Sequence, residues 1–149
     1  MEMKLYEELR VDIGGVALFE PQAWTVTQTS GWLGIHAYEK VLFVVAIGEA
    51  NDAAATLDIQ VLEATSQAGA GAQILKAAVQ IVAGGTFASL DQLVLIHVEI
   101  PEMTVNSGYS HLALRLIVSA QDTWMVSAIC IREEREWLLH PGTQTQLID

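Results

Sequence analysis

Basic residues are scarce in this sequence, which has 7 Lys and Arg against 18 Asp and Glu and a formal net charge of −11 at pH 7. Only Arg132 and Arg135 lie close together, so no cluster of positive charge could follow a phosphate backbone. The same negative charge opposes binding to an anionic membrane surface. We therefore expect neither nucleic acid nor a membrane among the partners.

Cysteine occurs once, at Cys130, so no disulfide can form within the chain. Its neighbours, in the run MVSAICI, are apolar, which predicts a small buried side chain and not a reactive thiol. Charged residues are also few, at 17% of the chain against about 25% in an average domain, while hydrophobic residues make up 52%. Such a composition predicts that some apolar surface is buried against partners.

Motifs for nucleotide binding, phosphate binding or zinc-dependent hydrolysis are absent. The histidines, His36, His97, His111 and His140, have no spacing typical of metal ligands. If His97 and His111 lay on neighbouring strands, they could bind zinc together with Glu99, but polar positions on strand surfaces are the simpler interpretation. We expect no cofactor, no metal site and no enzymatic activity.

Strand patterns dominate the chain after Pro21. Thr56–Ala64 gives the clearest alternation of apolar and polar residues, and the continuous apolar run Lys40–Ile47 is typical of a central strand buried on both faces. Ile74–Val82 fits either a short helix or a strand, and Gly84-Gly85 with the β-rich neighbours favours a strand. The other expected strands are Ala23–Gln28, Gln92–Ile100, Tyr109–Val118 and Thr123–Ile131.

Seven or eight short strands separated by turns predict an all-β fold, a single jelly-roll-like β-sandwich with an extended N-terminal arm. We expect the arm at residues 1–20, the sandwich at residues 21–141 and a C-terminal tail at residues 142–149. A short helix over Glu2–Arg10 is possible within the arm.

The four tryptophans divide into two pairs. Trp24 and Trp124 lie in strand runs, which favours packing in the core. Trp32 and Trp137 lie at the edges of the patterned region, where each could anchor a protein partner or form a platform for a sugar ring. A β-sandwich that binds carbohydrate or protein is therefore the alternative function.

Several segments resemble the capsid decoration or cement proteins of tailed phages and related small head proteins. MKLYEELRV resembles their N-terminal lead, and SGWLGIHAYEKVLFVVAIGEAND resembles a segment in which a turn precedes a strand that ends in Ile-Gly. TLDIQVLEAT resembles the strand that follows. NSGYSHLALRLIVSA resembles a late strand, and WLLHPG resembles their proline-containing end. Together these segments span most of residues 3–142.

The resemblance implies a structural virion protein, made in the host cytoplasm, that forms a homotrimer on the outer surface of a phage head. It would bind the lattice of the major capsid protein and stabilise the shell. The alternative is a β-sandwich associated with a phage tail, baseplate or fibre that binds carbohydrate or protein. We expect the contacts to come from large apolar side chains of the arm, of one turn and of the C-terminal region: Leu5, Tyr6, Leu9, Phe19, Trp32, Trp137, Leu138 and Leu139.

Overall fold

Alternating residues form strands here because each strand of a two-layer sandwich turns one face to the core and the other outward. The structure, a computed structural model, describes residues 17–36, 38–78, 80–83, 92–100, 103 and 108–134. These residues contain no α-helix and form ten strands: β1 (Ala17–Trp24), β2 (Gln28–Thr29), β3 (Leu33–Gly34), β4 (Tyr38–Ala50), β5 (Thr56–Ala64), β6 (Gln73–Ala77), β7 (Ile81–Val82), β8 (Gln92–Glu99), β9 (His111–Val118) and β10 (Trp124–Glu134).

The strands form two antiparallel sheets. Sheet A has the order β1-β10-β4-β8, and sheet B has the order β2-β9-β5-β6, with β3 also paired to β9 and β7 to β5. The chain crosses between the sheets at each of the steps from β8 to β9 and from β9 to β10. The prediction of an all-β, jelly-roll-like sandwich is therefore confirmed.

The core lies between the two sheets and is almost entirely aliphatic. Phe43 and Val45 of β4 are fully buried, as are Leu57 of β5 and Leu114 and Leu116 of β9. Burying a side chain of this size stabilises the fold by roughly 1.5–3 kcal/mol. Cys130 also lies in this core, with 2% of its surface exposed, so the expected buried thiol is confirmed.

Two turns at one end tie the sheets together through side chains. The Trp124 indole Nε1 donates to the Thr56 carbonyl at 3.1 Å, and this bond joins β10 of sheet A to β5 of sheet B. The Thr56 amide donates to Asp122 Oδ2 at 3.0 Å, and the Asn51 side chain bonds the backbone of residues 121 and 123. Trp124 is 2% exposed, which agrees with its predicted place in the core.

Strand bounds agree best with the sequence where the alternation is clear. β5 has the predicted bounds of Thr56–Ala64. The ambiguous segment Ile74–Val82 contains β7 and all of β6 except its first residue, and no helix among its described residues. The prediction for Lys40–Ile47 was wrong in one respect. β4 buries Val41, Phe43, Val45 and Ile47 on one face, while the other face is only partly buried.

The first strand is displaced from its predicted position. Ala23–Gln28 was expected to be a strand, but β1 ends at Trp24 because its pairing with β10 runs from Ala17 to Trp24. Pro21 lies inside β1, at the edge of sheet A, where a missing backbone N–H costs least. Residues 17–20, assigned to the arm from the sequence, thus belong to the sandwich. The rest of the expected arm, the helix over Glu2–Arg10 and the tail at residues 142–149 lie outside the described residues.

Candidate functional site

Most of the side chains predicted to make contacts lie outside the described residues: Leu5, Tyr6, Leu9, Trp137, Leu138 and Leu139. Phe19 is described, and only 5% of its surface is exposed. Its ring contacts Trp24 edge-to-face, with the centroids 5.2 Å apart, and the Trp24 indole donates to the Val126 carbonyl at 3.1 Å. In this fold Phe19 packs within its own sandwich and is not displayed to a partner.

Trp32 lies half-buried against the turn between β5 and β6. A Cβ atom placed on Gly69 would lie 2.5 Å from the Trp32 Nε1 atom, so the backbone of this turn closely approaches the indole ring. The turn itself is held by Ser66 Oγ, which accepts hydrogen bonds from the amides of Ala68 and Ala70 at 3.3 and 3.2 Å. One side of the Trp32 ring is therefore used in packing within the chain.

The possible zinc site does not form. His97 lies on β8 of sheet A, and His111 lies on β9 of sheet B, so the two side chains are not on neighbouring strands. Among the described residues no group of three or more His, Cys, Asp or Glu side chains is placed to hold a metal ion. In that same part of the chain no helix is long and apolar enough to cross a membrane.

The outer face of sheet A is apolar over much of its area, as the inner face is, and Lys40 and Glu99 form a charged row at one end of it. The strand register places its side chains in three rows that cross β8, β4 and β10. We call the set formed by these rows, with Gly48 and Met125 beside the third, the apolar face. The rows are His97–Leu42–Ile131, Leu95–Val44–Ile129 and Leu93–Ala46–Ser127.

Large side chains on the apolar face are well exposed. The exposed fractions are 67% for Leu93, 61% for Leu95, 46% for Ile129 and 44% for Met125. Together they amount to roughly two fully exposed large side chains, or on the order of 400 Å², which falls in the range of the largest apolar patch on a typical monomer. Patches of this size commonly serve as interaction sites.

The rows differ in height. Leu95, Val44 and Ile129 are all large and form a ridge. In the next row Ala46 and Ser127 are small, as is Gly48 beyond it, and Leu93 stands at the β8 end of that row. A groove of about 340 Å³ lies over these small residues, and its lining also includes Pro21, Gln22, Gln92, Leu93 and Met125. None of the described residues that line the groove is charged, so this lining offers no acid, base or ionic group of the kind that most catalytic sites use.

The outer face of sheet B shows the opposite character. Arg115 of β9 donates through Nε to Gln60 Oε1 of β5 at 3.0 Å, and Gln80 donates to Asp58 Oδ2 at 3.1 Å. These polar and charged groups are satisfied within the chain and suit contact with water. Sheet B is thus the more polar of the two, although Ile74 on its edge strand β6 is 52% exposed, and the apolar face of sheet A is the candidate functional site.

No protein-family model and no curated protein matches the chain. The fold is similar to the crystal structure of the VP2 subviral particle of infectious bursal disease virus, with a TM-score of 0.53 and 11% identity over 87% of this chain. The structure of the Gx strain of that virus gives a TM-score of 0.54 and 13% identity, also over 87% of this chain.

A third similar structure, of T=1 particles derived from the same virus, has a TM-score of 0.53 and 11% identity over 80% of this chain. The chain spans about a third of the length of these proteins, with 31–34% of each covered. Identity this low establishes a likeness of fold alone. The structural neighbours are viral capsid proteins, and this chain has a β-sandwich of the kind they contain.

Proposed function

We propose that this chain is a structural protein of a virus particle and contributes its β-sandwich to the shell. The observation that carries the proposal is the apolar face, which a folded and otherwise satisfied sandwich leaves exposed to solvent. A face without charge or catalytic groups suits a permanent contact with protein better than it suits chemistry. The likeness of fold to viral capsid proteins, which are not enzymes, supports the same conclusion.

Burial of the apolar face gives a useful scale for the strength of such a contact. Removing about 400 Å² from water is worth about 10 kcal/mol, at roughly 25 cal/mol per Å². Association costs about 4–15 kcal/mol in lost translational and rotational freedom. One such contact therefore gives modest affinity, whereas a subunit that makes several contacts in a shell is held strongly by avidity.

The more specific form of the proposal is a decoration or cement protein of a tailed-phage head. The sequence resemblance supports this form, together with a homotrimer that binds the outer surface of the major capsid protein lattice. In this form the anchors come from Leu5, Tyr6 and Leu9 near the N-terminus and from Trp137–Leu139 near the C-terminus. Because residues 17–20 belong to β1, the clamping segment is shortened to residues 1–16.

Undecorated phage heads provide the test, with the full-length chain as the ligand. We expect the protein to scatter light as a trimer, to saturate the heads and to raise their melting temperature, because it binds the intact lattice and not its dissociated parts. The combined variant Leu5→Ser, Tyr6→Ser, Leu9→Ser should remain folded and lose binding. Val26→Ser, at a side chain that is 55% exposed but lies away from the apolar face, is the matched control and should bind normally.

A stable monomer that does not bind heads would contradict the decoration role. Binding to glycans that disappears in Trp137→Ala, in the absence of binding to heads, would favour the tail, baseplate or fibre alternative. Trp32→Ala, tested in the same glycan experiment, shows whether Trp32 also contributes to binding. Part of its ring already contacts the turn at Gly69.

A further inference from the structure

The size of the apolar face matches a contact between two sandwiches. Its four well-exposed side chains present roughly 400 Å² to solvent, and the partly buried side chains of the three rows add to that area. Two copies that stack on this face would bury on the order of 1,000 Å², which lies at the lower limit for a specific interface. The contact would thus be weak in solution and become occupied at high local concentration, as in a shell.

The charge of the face selects for a partner that is also neutral and apolar. The three rows contain no Asp, Glu, Lys or Arg, although the whole chain carries a net charge of −11. A cationic or anionic partner would gain no charge pairing on this face. A second copy presents the same uncharged apolar residues, and the remaining repulsion between two acidic chains is weakened by salt.

Over β4 and β10 the relief of the face is complementary to itself. The ridge Leu95–Val44–Ile129 and the small-residue row at Ala46 and Ser127 lie side by side across the same strands. A two-fold axis that lies in the interface, across the strands and midway between these rows, places the ridge of each copy in the groove of the other. In this arrangement Ile129 faces Ser127 of the second copy and Val44 faces Ala46, while on β8 Leu95 meets Leu93.

The edges of sheet A are less suited to pairing with another strand. Lys76 Nζ donates to the carbonyl of His97 at 2.6 Å, so this lysine occupies an acceptor of edge strand β8. At the other edge, β1 contains Pro21, which has no N–H to donate. Lysine and proline on edge strands are common devices against edge-to-edge association, so stacking on the face is the favoured mode.

We propose that the apolar face binds the same face of a second copy of this chain, with the ridge of each copy in the groove of the other. The inference deepens the proposed structural role and rests on it for its biological context, since it names the partner of the exposed face. A two-fold contact joins copies in pairs, so a trimer would need a different contact and the two could coexist in one lattice.

A charge-pair experiment on the full-length chain tests both the partner and the register. Ile129→Lys and Ser127→Glu each place two unpaired charges in the two-fold contact, so each should raise the dissociation constant at least tenfold in sedimentation equilibrium. Mixed in equal amounts, the two variants can form one Lys–Glu pair and one native Ile–Ser contact, and association should recover. Val26→Lys, at a similarly exposed hydrophobic position outside the face, should leave the dissociation constant unchanged.

Other outcomes of the association and head-binding experiments distinguish a failure of this inference from a failure of the proposed function. Wild-type association that strengthens with salt supports an apolar contact between like-charged copies. A wild-type chain that shows no concentration-dependent doubling of mass overturns the inference, as does a mixture that fails to recover while both variants remain folded. Loss of head binding in Ile129→Lys, without any change in self-association, shows that another protein covers the face and leaves the structural role standing. Self-association without any binding to heads contradicts the decoration role only.

Discussion

Replacing Gly69 with alanine should destabilise the protein more than the same change at Gly71, because only Gly69 lies against the Trp32 ring. Both glycines have positive φ angles, +80° and +65°, so a side chain at either position is strained. At Gly69 the new Cβ would lie 2.5 Å from Trp32 Nε1, whereas at Gly71 its nearest neighbour is the Tyr109 hydroxyl oxygen at 3.7 Å. The pair therefore separates backbone strain from steric overlap.

The expected losses in the free energy of unfolding follow from backbone strain and steric overlap. A non-glycine residue in the left-handed region costs about 1–2 kcal/mol, which is the full cost expected for Gly71→Ala. Overlap with a packed ring adds roughly 1–3 kcal/mol for Gly69→Ala, because the indole must shift or the turn must open. We expect the free energy of unfolding to fall by about 2–5 kcal/mol at Gly69.

Urea denaturation followed by far-UV circular dichroism measures both losses at one fixed protein concentration, since self-association would also shift the midpoint. The decisive measurement repeats Gly69→Ala in a Trp32→Ala background. With the indole removed, only the backbone strain remains, and the cost should fall to that of Gly71→Ala. Equal losses for Gly69→Ala and Gly71→Ala in the native background, or an excess at Gly69 that persists without Trp32, would refute the contact between this turn and the ring.

Two further predictions concern the interior. Ser30 is 7% exposed, and its hydroxyl accepts a hydrogen bond from the Leu114 amide at 2.9 Å, so Ser30→Ala should cost about 1–3 kcal/mol in urea denaturation by leaving that N–H unsatisfied. A loss below about 0.5 kcal/mol would mean that water replaces the hydroxyl. Phe43→Ala should cost about 3–5 kcal/mol, because Phe43 is fully buried in the core, and thermal unfolding that matches wild type would contradict that placement.

The alternation of apolar and polar residues predicted those strands that have one face on the core and the other in water. β5 has a core face with Leu57, Ile59 and Val61 and an outer face with Asp58 and Gln60, so the sequence shows its period of two directly. The same pattern misplaced the first strand. Thr25 and Val26 continue the alternation, yet β1 ends at Trp24 because its partner β10 begins there, about a hundred residues further along the chain. Pairing over that separation leaves no trace in local sequence.

The sequence predicted contacts through single large side chains such as Trp32 and Phe19, whereas the structure favours a surface formed by several strands together. Phe19, which was assigned to the arm, is buried in the sandwich. The small residues that make the groove, Ala46, Gly48 and Ser127, carry no chemical signal in the sequence. They become a feature only when the register of three strands brings them together.

The sequence nevertheless contains a pattern that corresponds to the apolar face. That pattern can be interpreted only when the fold is known. The runs KVLFVVAI in β4, LVLI in β8 and MVSAICI in β10 are apolar at successive positions, as in strands buried on both faces. In helix-rich α/β proteins, helices cover the second face. A chain predicted to be a two-layer sandwich has no such cover, so each strand can turn only one face to the core. Continuous apolar runs on three neighbouring strands of one sheet therefore leave a second apolar face, which the proposed contact with a second copy would bury.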